Sequence, residues 1–229
     1  MVHTVKGPYE AFIKRLLDIF ISLIVILLFW WLYIILAVLV GIKLGRPVLF
    51  SQARPGRKDK HTGEERIFRL YKFRSMTNAT DSSGNLLPDT ERLTKFGRLL
   101  RSSSLDELPE IWNILIGDMS LIGPRPLAAS YLPYYTEEER MRHCVRPGLT
   151  GLAQVNGRNS ISWEEKFAFD IEYANNITFL NDCKILLQTV KAVICREGIG
   201  QAEEAPVSFN ILRQQQWDAK HAETETKHS

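Results

Sequence analysis

Residues 19–40 contain no charged side chain. That run of about 22 residues is long enough to cross the hydrocarbon core of a bilayer, for which about 20 suffice. Such a segment must sit in lipid or be wrapped completely by protein, and a chain of 229 residues rarely wraps a helix so long. A secretory signal is excluded, because the run exceeds an h-region and no small-residue cleavage site follows it. Residues 9–18 read as an amphipathic helical lead-in, so the chain is attached to a membrane. Lys14 and Arg15 precede the run, and Lys43, Arg46, Arg54, Arg57 and Lys58 follow it. Basic residues on both flanks orient a spanning helix only weakly. They equally suit a hairpin-like helix that enters and leaves by one face.

Outside this run the composition is that of a globular domain, 45% hydrophobic and 24% charged. A net charge of +3 is too slight to argue for nucleic acid as a partner. Cys144, Cys183 and Cys195 are odd in number and lack CxxC spacing, so they read as free thiols in a reducing compartment. His143 beside Cys144 has no further ligand pair at suitable spacing, so no metal site is read there.

The sequence predicts an α+β domain, mainly helical, with one small β-hairpin. Pro47-Val-Leu-Phe-Ser-Gln and Arg66-Ile-Phe-Arg-Leu-Tyr-Lys-Phe-Arg-Ser-Met alternate β-branched and aromatic residues around a charged turn. Phe68, Leu70 and Lys72 fall on one face of the second strand. Residues 77–88 form a Gly/Pro-punctuated loop, and residues 90–101 a basic amphipathic helix with Leu93, Phe96 and Leu100 as its stripe. That helix either lies on an anionic membrane surface or covers the core. Further helices are expected over residues 136–142, 162–174 and 178–196. In the last, Leu180, Leu187, Val190 and Ile194 face inward and Lys184 and Lys191 outward. Gln154-Val-Asn-Gly-Arg158 reads as a strand end and turn. The expected organisation is a membrane segment over 1–46, a catalytic domain over 47–198 and a disordered polar tail over 199–229.

Asp106 and Glu107 stand side by side, with Arg101 before them and Arg125 after. Ser104 is an N-cap candidate, and Ser104-x-x-Glu107 reads as a capping box opening a helix through Ile116. Its apolar face is Leu108, Ile111, Trp112 and Leu115. Acidic residues suit a first helical turn through the dipole alone. A helix N-terminus also binds anions, and a carboxylate pair flanked by arginines suits chemistry on a phosphate that carries a metal ion. Gly123-Pro-Arg-Pro126 and Val145-Arg-Pro-Gly148 fix two further arginines, Arg125 and Arg146, in rigid loops. Local spacing leaves capping and catalysis both open.

Lys14-Arg-Leu-Leu-Asp18, Gln52-Ala-Arg-Pro-Gly56, Tyr71-Lys-Phe-Arg-Ser-Met76, residues 101–107, Gly117-Asp-Met-Ser-Leu-Ile-Gly-Pro-Arg-Pro126, Arg146-Pro-Gly148 and Gln154-Val-Asn-Gly-Arg158 together resemble the monotopic phosphoglycosyl transferases of bacteria. The resemblance runs in order from about Lys14 to Arg196. It is closest to the short form that initiates protein glycosylation with UDP-diacetylbacillosamine. It implies transfer of a sugar phosphate from a UDP-sugar to undecaprenyl phosphate, with release of UMP and with Mg2+. By resemblance, Asp106 is the nucleophile forming a covalent phosphosugar, and an ionised aspartate needs no base for that role. Glu107 is the implied metal ligand. Lys72, Arg101, Arg125 and Arg146 are the implied phosphate-binding residues. Downstream glycosyltransferases are the further partners, and the implied location is the cytoplasmic face of the bacterial inner membrane.

The family usually carries Ser-Pro midway along the membrane helix, where this chain has Trp30-Trp31, so no proline-type kink is encoded. The resemblance and the flanking charges nevertheless predict a re-entrant helix with both ends cytoplasmic. Amphipathic interfacial helices complete the expected fold. The same chemistry with another UDP-sugar, for O-antigen or capsule, is the nearest alternative. A non-catalytic membrane scaffold and a membrane-anchored nucleotide-sugar hydrolase are the others.

Overall fold

The computed structural model describes residues 5–157, 160–195 and 207–227. The chain divides into two compact units, one built from Val5–Ala53 and Phe68–Leu121, the other from Arg54–Ile67 and the chain from Ile122 onward. Helix α1 (Lys14–Leu44) is preceded by a short π-helix, Tyr9–Ile13. Strands β1 (Leu49–Lys58) and β2 (Glu65–Phe73) form the expected hairpin. Helices α2 (Asp89–Arg92), α3 (Lys95–Ser102) and α4 (Glu110–Ile116) follow. After them come β3 (Ser120–Ile122), paired with β4 (Gly148–Thr150), and helices α5 (Leu152–Val155), α6 (Trp163–Asn175), α7 (Phe179–Ile194) and α8 (Phe209–Lys227).

In the first unit α1 runs unbroken through Trp30-Trp31, as expected where no proline removes a backbone donor. It is 31 residues long, about 46 Å at 1.5 Å per residue. It is long and apolar enough to cross a membrane, which makes membrane insertion plausible. One face of α1 packs on the unit while the other carries exposed leucine, isoleucine, phenylalanine and tryptophan side chains. The packed face is sealed by Leu36, Val40 and Leu44 against Phe73 and Leu100.

Polar anchors hold both ends of α1. Arg15 donates to Ile114 O (2.6 Å) and Leu115 O (2.8 Å), satisfying the last carbonyls of α4. Gly117, at φ 97°, ends that helix in the left-handed conformation, which a glycine adopts without penalty. Asp18 accepts from the Ser120 hydroxyl (3.1 Å) and Leu121 N–H (2.9 Å). At the far end the buried Arg74 guanidinium donates to Leu44 O, Gly45 O and Arg46 O and so caps α1.

The second unit is centred on aromatic side chains: Tyr135, Phe167 and Phe209, with Tyr131, Tyr134 and Trp163 around them. Phe209 lies 5.0 Å from the Phe167 ring and 5.2 Å from Tyr135, centroid to centroid. Burial of Phe209, stacking of Trp217 on Tyr134 (5.5 Å) and the Arg213–Glu139 ion pair dock α8 (Phe209–Lys227), which was read from sequence as disordered tail. Residues 199–206 and 228–229 of that tail lie outside the described residues.

Several local expectations change. The helix expected over 90–101 splits at Leu93, because Thr94 caps α3 by accepting from Gly97 N–H. The expected strand end at Gln154-Val-Asn-Gly is instead helix α5 and a turn, and Arg158 lies outside the described residues. The helix expected from residue 162 is α6, and there Ser162 forms a full capping box with Glu165. Helix α7 keeps Lys184 and Lys191 outward as expected, but the leucines expected inside share that face: Leu180 is 79% and Leu187 71% exposed, and Val190 is outward as well. Buried polar anchors choose the face. Asp182 accepts from Tyr173 Oη (2.8 Å), and the Thr189 and Thr150 hydroxyls are hydrogen-bonded (2.7 Å), so Ile185 between them turns inward.

Candidate active site

The carboxylate pair is presented by a kinked junction and not by a capped helix start. Ser104 adopts φ 55°, ψ 17° and makes no side-chain cap. A non-glycine residue in this left-handed region costs about 1 kcal/mol. Leu105–Glu107 form one 3-10 turn, and Pro109 stands at the N-cap of α4. The left-handed step turns Asp106 inward, to 7% exposure, and leaves Glu107 half-buried. The capping-box reading is therefore corrected: the Ser104 side chain caps nothing, and α4 begins only at Glu110, after Pro109, whose missing N–H leaves no donor unsatisfied at the helix start.

Lys72 is the cation of this site. Its Nζ lies 2.6 Å from Glu107 Oε1, a direct hydrogen bond, and 3.0 Å from Glu110 Oε1. The second contact is electrostatic, since Glu110 Oε1 falls outside hydrogen-bonding geometry. Glu110 is only 2% exposed, and burying a carboxylate is costly unless a charge faces it. Sequence reasoning missed Glu110. Its one signal was a third acidic residue four positions after Asp106, on the same side of a helical turn.

Asn113, also missed, brings the strand and helix into register. Its Oδ1 accepts from Tyr71 N–H (3.1 Å) and its Nδ2 donates to Arg69 O (2.7 Å). Both bonds occupy the backbone of β2 beside Lys72. An asparagine among Ile111, Trp112, Ile114 and Leu115 was the legible sign. The inner face of α4 is Ile111, Asn113 and Ile114, while Trp112, expected inside, is 49% exposed.

The segment 72–75 serves four neighbours at once. Lys72 meets the carboxylates, Phe73 enters the core, Arg74 caps α1, and Ser75 Oγ accepts from Arg101 Nε at 2.9 Å. Helix α3 approaches Ser75 so closely that a Cβ on Gly97 would lie 1.8 Å from Ser75 O. Only glycine fits there, and that contact sets where Arg101 stands. The first unit thus assembles Lys72, Arg101, Asp106 and Glu107.

The second unit holds Arg125 and Arg146, both half-buried. Their loops are fastened backbone to backbone: Gly123 N–H donates to Thr150 O (2.8 Å) and Gly148 N–H to Pro124 O (2.9 Å). A Cβ on Gly148 would lie 2.1 Å from Gly123 N, and one on Gly123 2.4 Å from Arg146 O. Further arginines hold the first loop. Arg54 donates to Pro126 O (3.1 Å), and Arg142 donates to Arg125 O (2.7 Å) while paired with Asp170 Oδ2 at 2.7 Å in the interior. Asp170 keeps that buried guanidinium charged: burial alone disfavours the cation, but the facing carboxylate outweighs it and raises the Arg142 pKa. His143 is buried beside them, which lowers its pKa to about 4. Arg142 can only donate to its Nε2, so Nδ1 carries the proton toward Glu65 (3.2 Å).

Among the described residues no three His, Cys, Asp or Glu side chains are arranged to hold a metal ion. Magnesium does not need such a cage. It takes one or two carboxylates and completes its shell with water and phosphate oxygens, so Glu107 fits it.

Residues 9–196 match the family described as bacterial sugar transferase. The chain is 50% identical over 189 residues to EpsL, an uncharacterized sugar transferase of Bacillus subtilis, covering 82% of this chain and 91% of that one. It is 36% identical over 206 residues to an undecaprenyl-phosphate galactose phosphotransferase of Salmonella typhimurium, covering 82% of this chain and 42% of the relative. It is likewise 36% identical over 196 residues to a UDP-N-acetylgalactosamine-undecaprenyl-phosphate N-acetylgalactosaminephosphotransferase of Aeromonas hydrophila, covering 82% and 45%. The chain thus spans less than half the length of the latter two.

Proposed function

Because the chain belongs to the bacterial sugar transferase family, whose relatives carry out phosphoglycosyl transfer, we propose that it moves a sugar 1-phosphate from a UDP-sugar to undecaprenyl phosphate. The observation that carries this reading is the buried Asp106 beside Glu107, in a segment whose negative charge is balanced by Lys72. An Asp106 carboxylate oxygen attacks the sugar-side phosphorus of the diphosphate. The bond from that phosphorus to the bridging oxygen breaks, and UMP leaves with the electron pair. A phosphate oxygen of the lipid then attacks the same phosphorus, the bond to Asp106 breaks, and the carboxylate is restored. The two displacements replace one difficult meeting of two anions with two easier ones.

Each displacement brings anions together, so the site has to supply positive charge. Lys72 faces the carboxylates of Glu107 and Glu110 and is the ammonium at hand for the diphosphate. Arg101, Arg125 and Arg146 offer guanidinium forks that match phosphate oxygens. Magnesium held by Glu107 would neutralise diphosphate charge when bound.

For the donor, the relatives named for galactose and N-acetylgalactosamine favour a UDP-hexose or its 2-acetamido form over UDP-diacetylbacillosamine, which the resemblance to the protein-glycosylating short form implied. All three belong in one donor panel. The same reading keeps both ends of α1 on the cytoplasmic face of the inner membrane, where UDP-sugars are made. It is supported by the anchors at Arg15, Asp18 and Leu44, all made to one compact unit.

The test is UMP release from each UDP-sugar with and without undecaprenyl phosphate. Release that requires the lipid supports the transferase. Equal release without it indicates a hydrolase, and none with any donor indicates a scaffold.

A further inference from the structure

A cavity of about 370 Å³ lies in the same unit as the Lys72 cluster. Tyr33 and Ala37 of α1, Val48, Phe73, Pro109 and Trp112 wall it, and its surface is apolar throughout. The one hydroxyl among these residues points away, donating from Tyr33 to Leu108 O at 2.7 Å. The cavity is open on one side, and its lining offers no polar partner to order water. Its size falls within the roughly 300–1,000 Å³ of small-molecule sites. A sugar nucleotide would leave its polar groups unpaired there; a hydrocarbon would not.

Two features of its position select the hydrocarbon. Pro109 lies between Glu107 and Glu110 in the chain, and Tyr33 is bonded to Leu108 O, next to Glu107, so this wall stands within one helical turn of the two carboxylates that Lys72 faces. Whatever fills the cavity along this wall therefore has one end near the charged site. On the other side, the α1 wall continues through Ile34 into the exposed Trp30, Trp31, Ile35 and Val38, within the helix apolar enough for a membrane. A chain leaving lipid along α1 reaches the cavity over apolar surface alone.

We propose that this cavity takes the phosphate-proximal isoprene units of the polyprenyl phosphate acceptor, the rest of the chain remaining in lipid. This rests on the transferase reading for the acceptor's identity. The cavity aligns the lipid phosphate with the phosphosugar by gripping the tail, and Ala37 is its most sensitive wall because any larger side chain there fills the space.

The experiment has two arms, both on the full chain in lipid nanodiscs. In the first, wild type and Ala37→Trp are compared by a ratio taken on one preparation: transfer to undecaprenyl phosphate over exchange of labelled UMP into the UDP-sugar. The ratio is independent of the folded fraction, and it is expected to fall about tenfold, the loss of about two methylenes of burial. An unchanged ratio overturns the proposal. Absence of exchange in wild type instead overturns the covalent mechanism and leaves the second arm to decide the cavity. There, a prenyl phosphate with a diazirine on its first isoprene unit is photolysed with wild type. Label is expected on peptides bearing Tyr33 and Ala37 or Pro109 and Trp112, displaced by undecaprenyl phosphate. Label elsewhere, or equal displacement by phosphatidylglycerol, overturns the subsite.

Discussion

Lys72 Nζ and Glu107 Oε1 are 2.6 Å apart, a pairing between the penultimate residue of β2 and the second carboxylate of the Asp106–Glu107 pair. The same ammonium lies 3.0 Å from the buried Glu110. One lysine thus faces two carboxylates at the edge of the unit that holds Asp106. Replacing it by methionine removes the charge that both carboxylates face. Lys72→Met is expected to destabilise the protein by about 3 kcal/mol, because breaking a largely buried pair from one side is costly. Lys72→Met with Glu110→Gln should recover most of that loss. Thermal unfolding of the two variants checks this, and equal destabilisation means Glu110 does not depend on Lys72.

Asp106→Asn keeps the shape of the side chain and removes the nucleophile. Turnover is expected to fall by at least about a thousandfold, as when the nucleophile of a covalent mechanism is lost, while the melting temperature stays near wild type. Mass spectrometry of wild type quenched with donor alone should find the phosphosugar on the peptide containing Asp106. Substantial turnover by the asparagine variant removes Asp106 from this role.

Glu107→Gln separates metal binding from stability. The variant should need far more magnesium for half-maximal UMP release, at a stability cost of about 1 kcal/mol from the weakened Lys72 bond. EDTA should silence the wild type. A magnesium titration that superimposes on wild type places the ion elsewhere.

Acid should loosen the second unit before the catalytic carboxylates of the first are considered. His143 is held neutral by burial, its pKa lowered to about 4 from 6.5, so the unfolded chain binds its proton first. That contribution is complete above pH 6.5 and is lost as pH falls toward 4, worth about 3 kcal/mol in all. Glu65 adds to the trend lower down. Burial alone would raise its pKa, but the His143 hydrogen bond and the Arg140 charge outweigh it and hold it at about 2, against 4.5. Its contribution is lost between pH 4.5 and 2. His143→Gln should flatten the melting-temperature profile between pH 6.5 and 4, and an unchanged slope would show that another group titrates.

Topology can be read with single cysteines at positions 2 and 228 in a background lacking Cys144, Cys183 and Cys195. An impermeant thiol reagent is expected to modify neither in intact cells and both once the cells are opened. Labelling at position 2 alone in intact cells means that α1 crosses the membrane.

The sequence by itself determined what depends on residue type and near neighbours. The uncharged run of residues 19–40 had to be a helix shielded from water, whatever packed beside it. The β1–β2 hairpin, the Ser162 capping box and the adjacency of Asp106 and Glu107 are likewise local, written in alternation and spacing of two to four residues. Tertiary structure decided what depends on partners distant in the chain. Ser104 looks like a cap, yet it takes the left-handed conformation that turns Asp106 inward. Leu180 and Leu187 of α7 look like core, yet the hydrogen bonds of Asp182 to Tyr173 and Thr189 to Thr150 turn the other face inward. Glu110 and Asn113 stand out locally only as a third acid and as an asparagine among apolar residues; their roles come from Lys72 and the β2 backbone, about forty residues earlier in the chain. Glu110, Asn113 and Asp182 are polar and buried, and a buried polar group is stable only where its partner already stands. The choice of face and conformation therefore belongs to the assembled fold.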